Sequence, residues 1–169
     1  MPNLIDECMT WIESIDIVFW GSLGPAFSIS LCILGAAWGI WSTGSTLIGA
    51  CIRKREIWVK NLISILLCEA IAIYGVIETI FLITHIKYQA DEEYNLNIRR
   101  TMYGYLASGL GTGIGCASAG AAVGILGGYV AISDAWNRHL FIKCFIVEVF
   151  AEAIGVMALI VGIVSAASA

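Results

Sequence analysis

Four carboxylates inside apolar runs carry the chemistry that this sequence could do. Glu69 lies within KNLISILLCEAIAIYGVIETIFLI, residues 60–83, and Glu78 follows nine residues later. Glu148 and Glu152 stand four apart in FIVEVFAEAIGVMALIVGIV. Each run is long enough to cross the ~30 Å hydrocarbon core of a bilayer as a helix. A charge at such depth costs about 2.5–3.5 kcal/mol or more, so an intramembrane acid is by default a functional hypothesis. A neutral carboxyl can reside in hydrocarbon, whereas an ionised one needs water or a cation. Cyclic gain and loss of a proton is the chemistry open to such a group.

Every Lys and Arg stands at the end of an apolar run or between runs. A positive partner for a mid-run carboxylate therefore has to come from another chain. Sodium ligation would need further oxygens beside the acid, and Cys68, Ala70 and Ile71 supply none from their side chains. Protons are favoured for that reason. Glu69 and Glu152 form a matched pair: Lys60 stands nine residues before Glu69-Ala70-Ile71, and Lys143 nine before Glu152-Ala153-Ile154. The bland alternative for Glu69 is a protonated acid bonded to a carbonyl or to Tyr74, with no transport role. Glu148 and Glu152 share one helix face and could share a proton. Glu78, half a turn of azimuth from Glu69 and ~13 Å along the helix, is expected to bond locally or to reach water beside His85.

The elements that must hold these acids follow from composition. The chain has 169 residues, 59% hydrophobic and 13% charged, against about 25% charged in a soluble domain. It reads as an all-α, polytopic membrane protein with four transmembrane helices. A net charge of −4 argues against a nucleic-acid partner. Cys32, Cys68, Cys116 and Cys144 lie in apolar runs and read as small packing residues. No Cys/His cluster has ligand spacing, so no metal is expected, and no cofactor. No GxxxxGK[ST] loop for ATP occurs. Residues 1–24 form an acidic N-terminal segment without the basic start of a signal peptide. Its apolar residues, from Leu4 to Phe19, recur at helical spacing and predict an amphipathic helix at the membrane surface.

The four-span unit covers residues 25–169, with helices expected at about 25–52, 57–86, 101–132 and 140–168. Pro25 suits the first turn of the first helix. The turns after helices one and three carry Arg53, Lys54, Arg55 and Arg138, with Lys60 and Lys143 nearby. The positive-inside rule puts these turns in the cytoplasm and both termini in the lumen or exterior.

The two halves repeat. Gly35-Ala36-Ala37-Trp38-Gly39-Ile40 matches Gly120-Ala121-Ala122-Val123-Gly124-Ile125. Each half is one helical hairpin, so the halves are parallel repeats about an axis along the membrane normal. Gly35, Gly39, Gly120 and Gly124 are expected to pack helices closely, because lipid offers no hydrophobic force between them. Small residues surround the third helix on nearly all sides. Such crowding fits an inner layer of a ring, with the bulky second and fourth helices outside.

The stretches SISLCILGAAWGIWSTGSTLIGA, KNLISILLCEAIAIYG and VGILGGYVAISDAWNRHLFIKCFIVEVF resemble the c″ (c-double-prime) proteolipids of vacuolar-type proton-translocating ATPases, over most of residues 25–165. CEAIAIYG is the specific part, since the ordinary c proteolipid has its glutamate only in the fourth span. The resemblance implies a proteolipid ring turned by ATP hydrolysis elsewhere, not a catalyst in its own right. It implies other c-type proteolipids as neighbours, an arginine supplied by the a subunit, contact with the d subunit and the central stalk, and surrounding membrane lipid. It further implies residence in vacuolar or endosomal acidic membranes. By the same resemblance Glu69 carries the proton, and Glu148 matches a second, less critical glutamate. Glu152, in FAEAIG, stands in the context where the ordinary c proteolipid has its own carrier, so it is a further candidate proton-binding residue. The fungal relatives have an additional N-terminal span. The rival readings are an ordinary c proteolipid of the same ring, a stand-alone secondary transporter built from parallel repeats, and a passive scaffold.

Overall fold

The structure, a computed structural model, describes residues 10–12, 15–90 and 96–169. Half of the expected surface helix in the N-terminal segment, and Asp91, Glu92 and Glu93 of the middle segment, lie outside these residues. Four helices dominate: α1 (Ile17–Arg53), α2 (Trp58–Ala90), α3 (Leu96–Trp136) and α4 (Phe141–Ala167), with a 3₁₀ turn at Arg55–Ile57. No strand occurs among the described residues. All four helices contain segments long and apolar enough to span a bilayer. At 1.5 Å per residue, the 37 residues of α1 reach roughly 55 Å, so its ends project well beyond the hydrocarbon.

Helix ends differ from expectation in two informative places. α1 starts at Ile17, where the Asp16 carboxylate caps it by accepting from the Val18 N–H at 3.3 Å. Pro25 is therefore inside the helix, not in its first turn. Proline breaks helices in water because it removes one backbone bond. In lipid, a segment that leaves the helix would expose several polar groups, so continuing the helix costs less. At the other end, α3 runs through Ser133 and Asp134 to Trp136. The turn is confined to Asn137, Arg138, His139 and Leu140.

The helices form two hairpins side by side. α1 and α3 run in the same direction, because Gly24, Gly35 and Gly39 meet Gly109, Gly120 and Gly124 in ascending order. α2 and α4 run antiparallel to them and parallel to each other. A side chain on Gly35 would put its Cβ 2.6 Å from the Ala117 Cα, and one on Gly120 would sit 2.5 Å from the Gly35 carbonyl. Thr43 on α1 adds a bond across the seam, its hydroxyl donating to the Gly124 carbonyl at 3.0 Å. The expected glycine pairing is thus present. α2 lies along α1 and also touches α3 and α4; α4 lies on α3, and α1 and α4 do not touch. Backbones meet at the α1–α3 seam, whereas α2 and α4 meet through side chains such as Tyr74 and Glu152. Cys32, Cys68 and Cys116 fill the midplane with Ile71, Ala119, Val123 and Ala151; Cys144 is only partly buried.

Gly120→Leu should break this seam, with a loss of about 3 kcal/mol or more through backbone clash. Thermal unfolding of the purified protein in detergent checks this. Gly44→Ala, which faces open space in the chain, is expected to unfold with the native protein.

Candidate functional site

One of the four acids points outward. Glu69 is exposed on α2, and among the described residues no hydrogen bond or ion pair engages its carboxyl. The α2 stripe that faces the bundle is Asn61, Ser64, Cys68, Ile71, Gly75, Glu78 and Leu82, alternating steps of three and four. Glu69 falls off that stripe, beside exposed Leu66 and Ile73. Tyr74, expected as its bland partner, bonds Glu152 instead.

The other three acids are buried. Glu152 accepts from the Tyr74 hydroxyl at 2.8 Å through Oε1, and its Oε2 has no hydrogen-bond partner among the described residues. Glu148, one turn earlier on α4, accepts from the Ser64 hydroxyl at 2.8 Å through Oε2, and its Oε1 is likewise unpartnered. Gly127 of α3 makes room for it: a Cβ there would lie 2.9 Å from Glu148 Oε1. Glu78 is fully buried between Ser28 of α1 at 3.2 Å and Ser108 of α3 at 2.8 Å. It does not reach His85, whose ring bonds the Phe81 carbonyl. A helix face that holds a carboxyl must turn it inward wherever hydroxyls from neighbouring helices can meet it.

The serine hydroxyls were not singled out in the sequence. Ser108 and Thr112 are one turn apart on α3, and that spacing was a readable signal for a polar face. Another missed group is the node at the end of the bundle beside the short turns. Asp134 is buried, accepts from the Asn61 amide at 3.2 Å and lies 3.8 Å from the Lys60 ammonium. Lys60 is also 5.7 Å from the Phe141 ring centroid. Its ammonium is thus held by the protein as well as by any headgroup, while Lys143 is exposed.

Comparison with known proteins resolves what this arrangement belongs to. The sequence pattern of the ATP synthase C subunit matches twice, at residues 23–82 and 106–165. The two matches put Glu69 and Glu152 at the same distance from their ends. The c″2 subunit of the V-type proton ATPase of Arabidopsis thaliana is 44% identical over 89% of this chain and 85% of its own length. The c″ subunit of the Saccharomyces cerevisiae enzyme is 41% identical over 89% of this chain and 71% of its own. The c subunit of the Candida tropicalis enzyme is 29% identical over 86% of each.

The chain belongs to the ATP synthase C-subunit family, in its V-type c″ branch.

This proteolipid is accordingly a multi-pass membrane protein whose relatives are non-catalytic subunits of a proton ATPase. The tandem match also accounts for the paired hairpins. The two register-equivalent acids have opposite surroundings: Glu69 is free at the surface, and Glu152 is closed against Tyr74. Tyr74→Phe should destabilise the folded proteolipid in detergent by ~0.6 kcal/mol and at most ~1.7 kcal/mol, the range for one polar contact between membrane helices. Chemical or thermal unfolding of the purified variant measures it.

Proposed function

We propose that this proteolipid is a rotor subunit of the membrane sector of a vacuolar-type ATPase, and that Glu69 is the group that carries the proton. The observation that carries this reading is the contrast among the acids. Glu69 alone of the four is exposed, and it has no counter-charge beside it among the described residues. An acid in that position is neutral while it faces lipid and ionises when rotation brings it to water and a cation. The arginine of the a subunit supplies that cation. Lipid on one side and an aqueous, cationic passage on the other therefore load and unload the same carboxyl.

The close backbone contact of α1 and α3, with α2 and α4 in looser contact, supports a ring. α1 and α3, with their backbones in contact, form the inner layer, and α2 and α4 the outer one. Other c-type proteolipids sit on either side, and the d subunit with the central stalk meets the ring at its cytoplasmic end. The short turns with Arg53, Lys54, Arg55 and Arg138 face the cytoplasm, and the termini face the lumen of an acidic organelle. Glu152 and Glu148 are second proton-binding positions held inside the proteolipid, each through one hydroxyl bond with one oxygen left over. A transporter acting alone would need a central polar path. The midplane layer of Cys32, Ile71, Cys116 and Val123 runs against that alternative.

In membrane vesicles carrying the assembled ATPase, Glu69→Gln should abolish proton pumping while the assembly still forms. Glu69→Asp should retain part of the rate. Glu152→Gln should keep most of it. Pumping by Glu69→Gln together with failure of Glu152→Gln would assign the carrier to the second repeat. Cysteines placed in the two short turns should react with a membrane-impermeant reagent from the cytoplasmic side only.

A further inference from the structure

Large apolar side chains stand both on the outward face of α2 and on the face it buries. Leu66 and Ile80 are 60% and 59% exposed, while Ile71 and Leu82 are fully buried. In water such a difference would fix the helix rotation. In lipid it does not, since hydrocarbon solvates either face equally well. α2 also carries two acids on opposite faces, Glu69 and Glu78, nine residues apart. A half-turn of α2 about its axis would exchange them, burying Glu69 and exposing Glu78. Something other than hydrophobicity has to choose between them.

The interior around Glu78 is built for a carboxyl. Ser28 of α1 meets Oε2 at 3.2 Å, and Ser108 of α3 meets Oε1 at 2.8 Å. Gly162 of α4 leaves the space that the acid fills, because a Cβ there would be 2.6 Å from Glu78 Oε1. The Ser108 oxygen is also 2.7 Å from the Gly162 carbonyl. A hydroxyl has one hydrogen and cannot donate to both acceptors. Both contacts are satisfied if Glu78 carries the proton: the acid donates to Ser108, Ser108 donates to Gly162, and Ser28 donates to the remaining oxygen. All four helices then close on one neutral acid. Among the described residues no hydroxyl bonds Glu69.

We propose that Glu78 is a positioning residue, a rotational lock held as the neutral acid, which fixes α2 so that Glu69 faces outward from the bundle. It does not itself carry a transported proton. The inference rests on the reading of Glu69 as the carrier, and the test separates the two. Native and variant chains are assembled in the ATPase, in membrane vesicles. Labelling of Glu69 by dicyclohexylcarbodiimide, which reaches acids from the lipid, reports the orientation of α2 directly. Proton pumping is read in parallel.

Glu78→Gln should label and pump as the native protein does, because its amide can donate to Ser108 and accept from Ser28. Glu78→Leu should shift the ratio of outward to inward α2 about threefold or more, as expected for losing polar contacts between membrane helices, and Glu69 labelling and pumping should both fall with it. Ser108→Ala, which removes one oxygen and adds no bulk, should shift both readouts the same way if Glu78→Leu fails to assemble. Native labelling in both Glu78→Leu and Ser108→Ala would overturn the lock. Loss of pumping in Glu78→Gln with native Glu69 labelling would make Glu78 a carrier, and would also overturn it. Normal pumping by Glu69→Gln would instead remove the carrier assignment, while the labelling arm would still decide the orientation of α2.

Discussion

Close approach of α1 and α3 is the constraint on which the rest depends. Lipid is as apolar as leucine, so these helices are not driven together by excluding water; they associate where backbones can come near and van der Waals contact is dense. Gly24, Gly35 and Gly39 on one helix and Gly109, Gly120 and Gly124 on the other provide that approach. Once the two share a seam, α2 and α4 have only shallow grooves to occupy, and their bulky side chains hold them further from each other. Backbones are therefore in close contact along the seam, and α2 and α4 are in looser contact with each other.

Polar contacts then set rotation and height where apolar ones cannot. Ser64 with Glu148, Tyr74 with Glu152, and Ser28 and Ser108 with Glu78 tie α2 to its neighbours at successive depths. The Asn61–Asp134–Lys60 node fixes its end near the short turns. Each contact is modest, about 0.6 kcal/mol on average, yet they act against alternatives that differ by little. The acid left without such a partner is the one at the surface. The same rule that buries three carboxyls leaves the fourth at the surface.

Much of this was legible in the sequence. Hydropathy gave four spans, and the family matches support the tandem repeat that Gly35-Gly39, Gly120-Gly124 and the Lys–Glu spacings displayed. The opposite faces of Glu69 and Glu78 followed from helical geometry alone. Partners were less legible. Tyr74 is five residues from Glu69 in the chain, but it bonds an acid on another helix, since which hydroxyl meets which carboxyl depends on the relative height of two helices. Asp134 read as part of a turn because charge usually marks a boundary; here Asn61 and Lys60, distant in sequence, let α3 continue past it. Pro25 misled for a related reason, since the end signal it gives in water loses force where every non-helical backbone is costly.

The central claim is that the outward acid of the second span exchanges the proton. A density map of the intact membrane assembly containing this chain tests it most directly, by showing both acids in place. The account predicts Glu69 at the outer surface of the ring, passing within ion-pair distance of the arginine of the a subunit, with Glu152 still closed on Tyr74. A map with Glu69 turned into its own bundle, and Glu152 open at the outer surface in its stead, would contradict it.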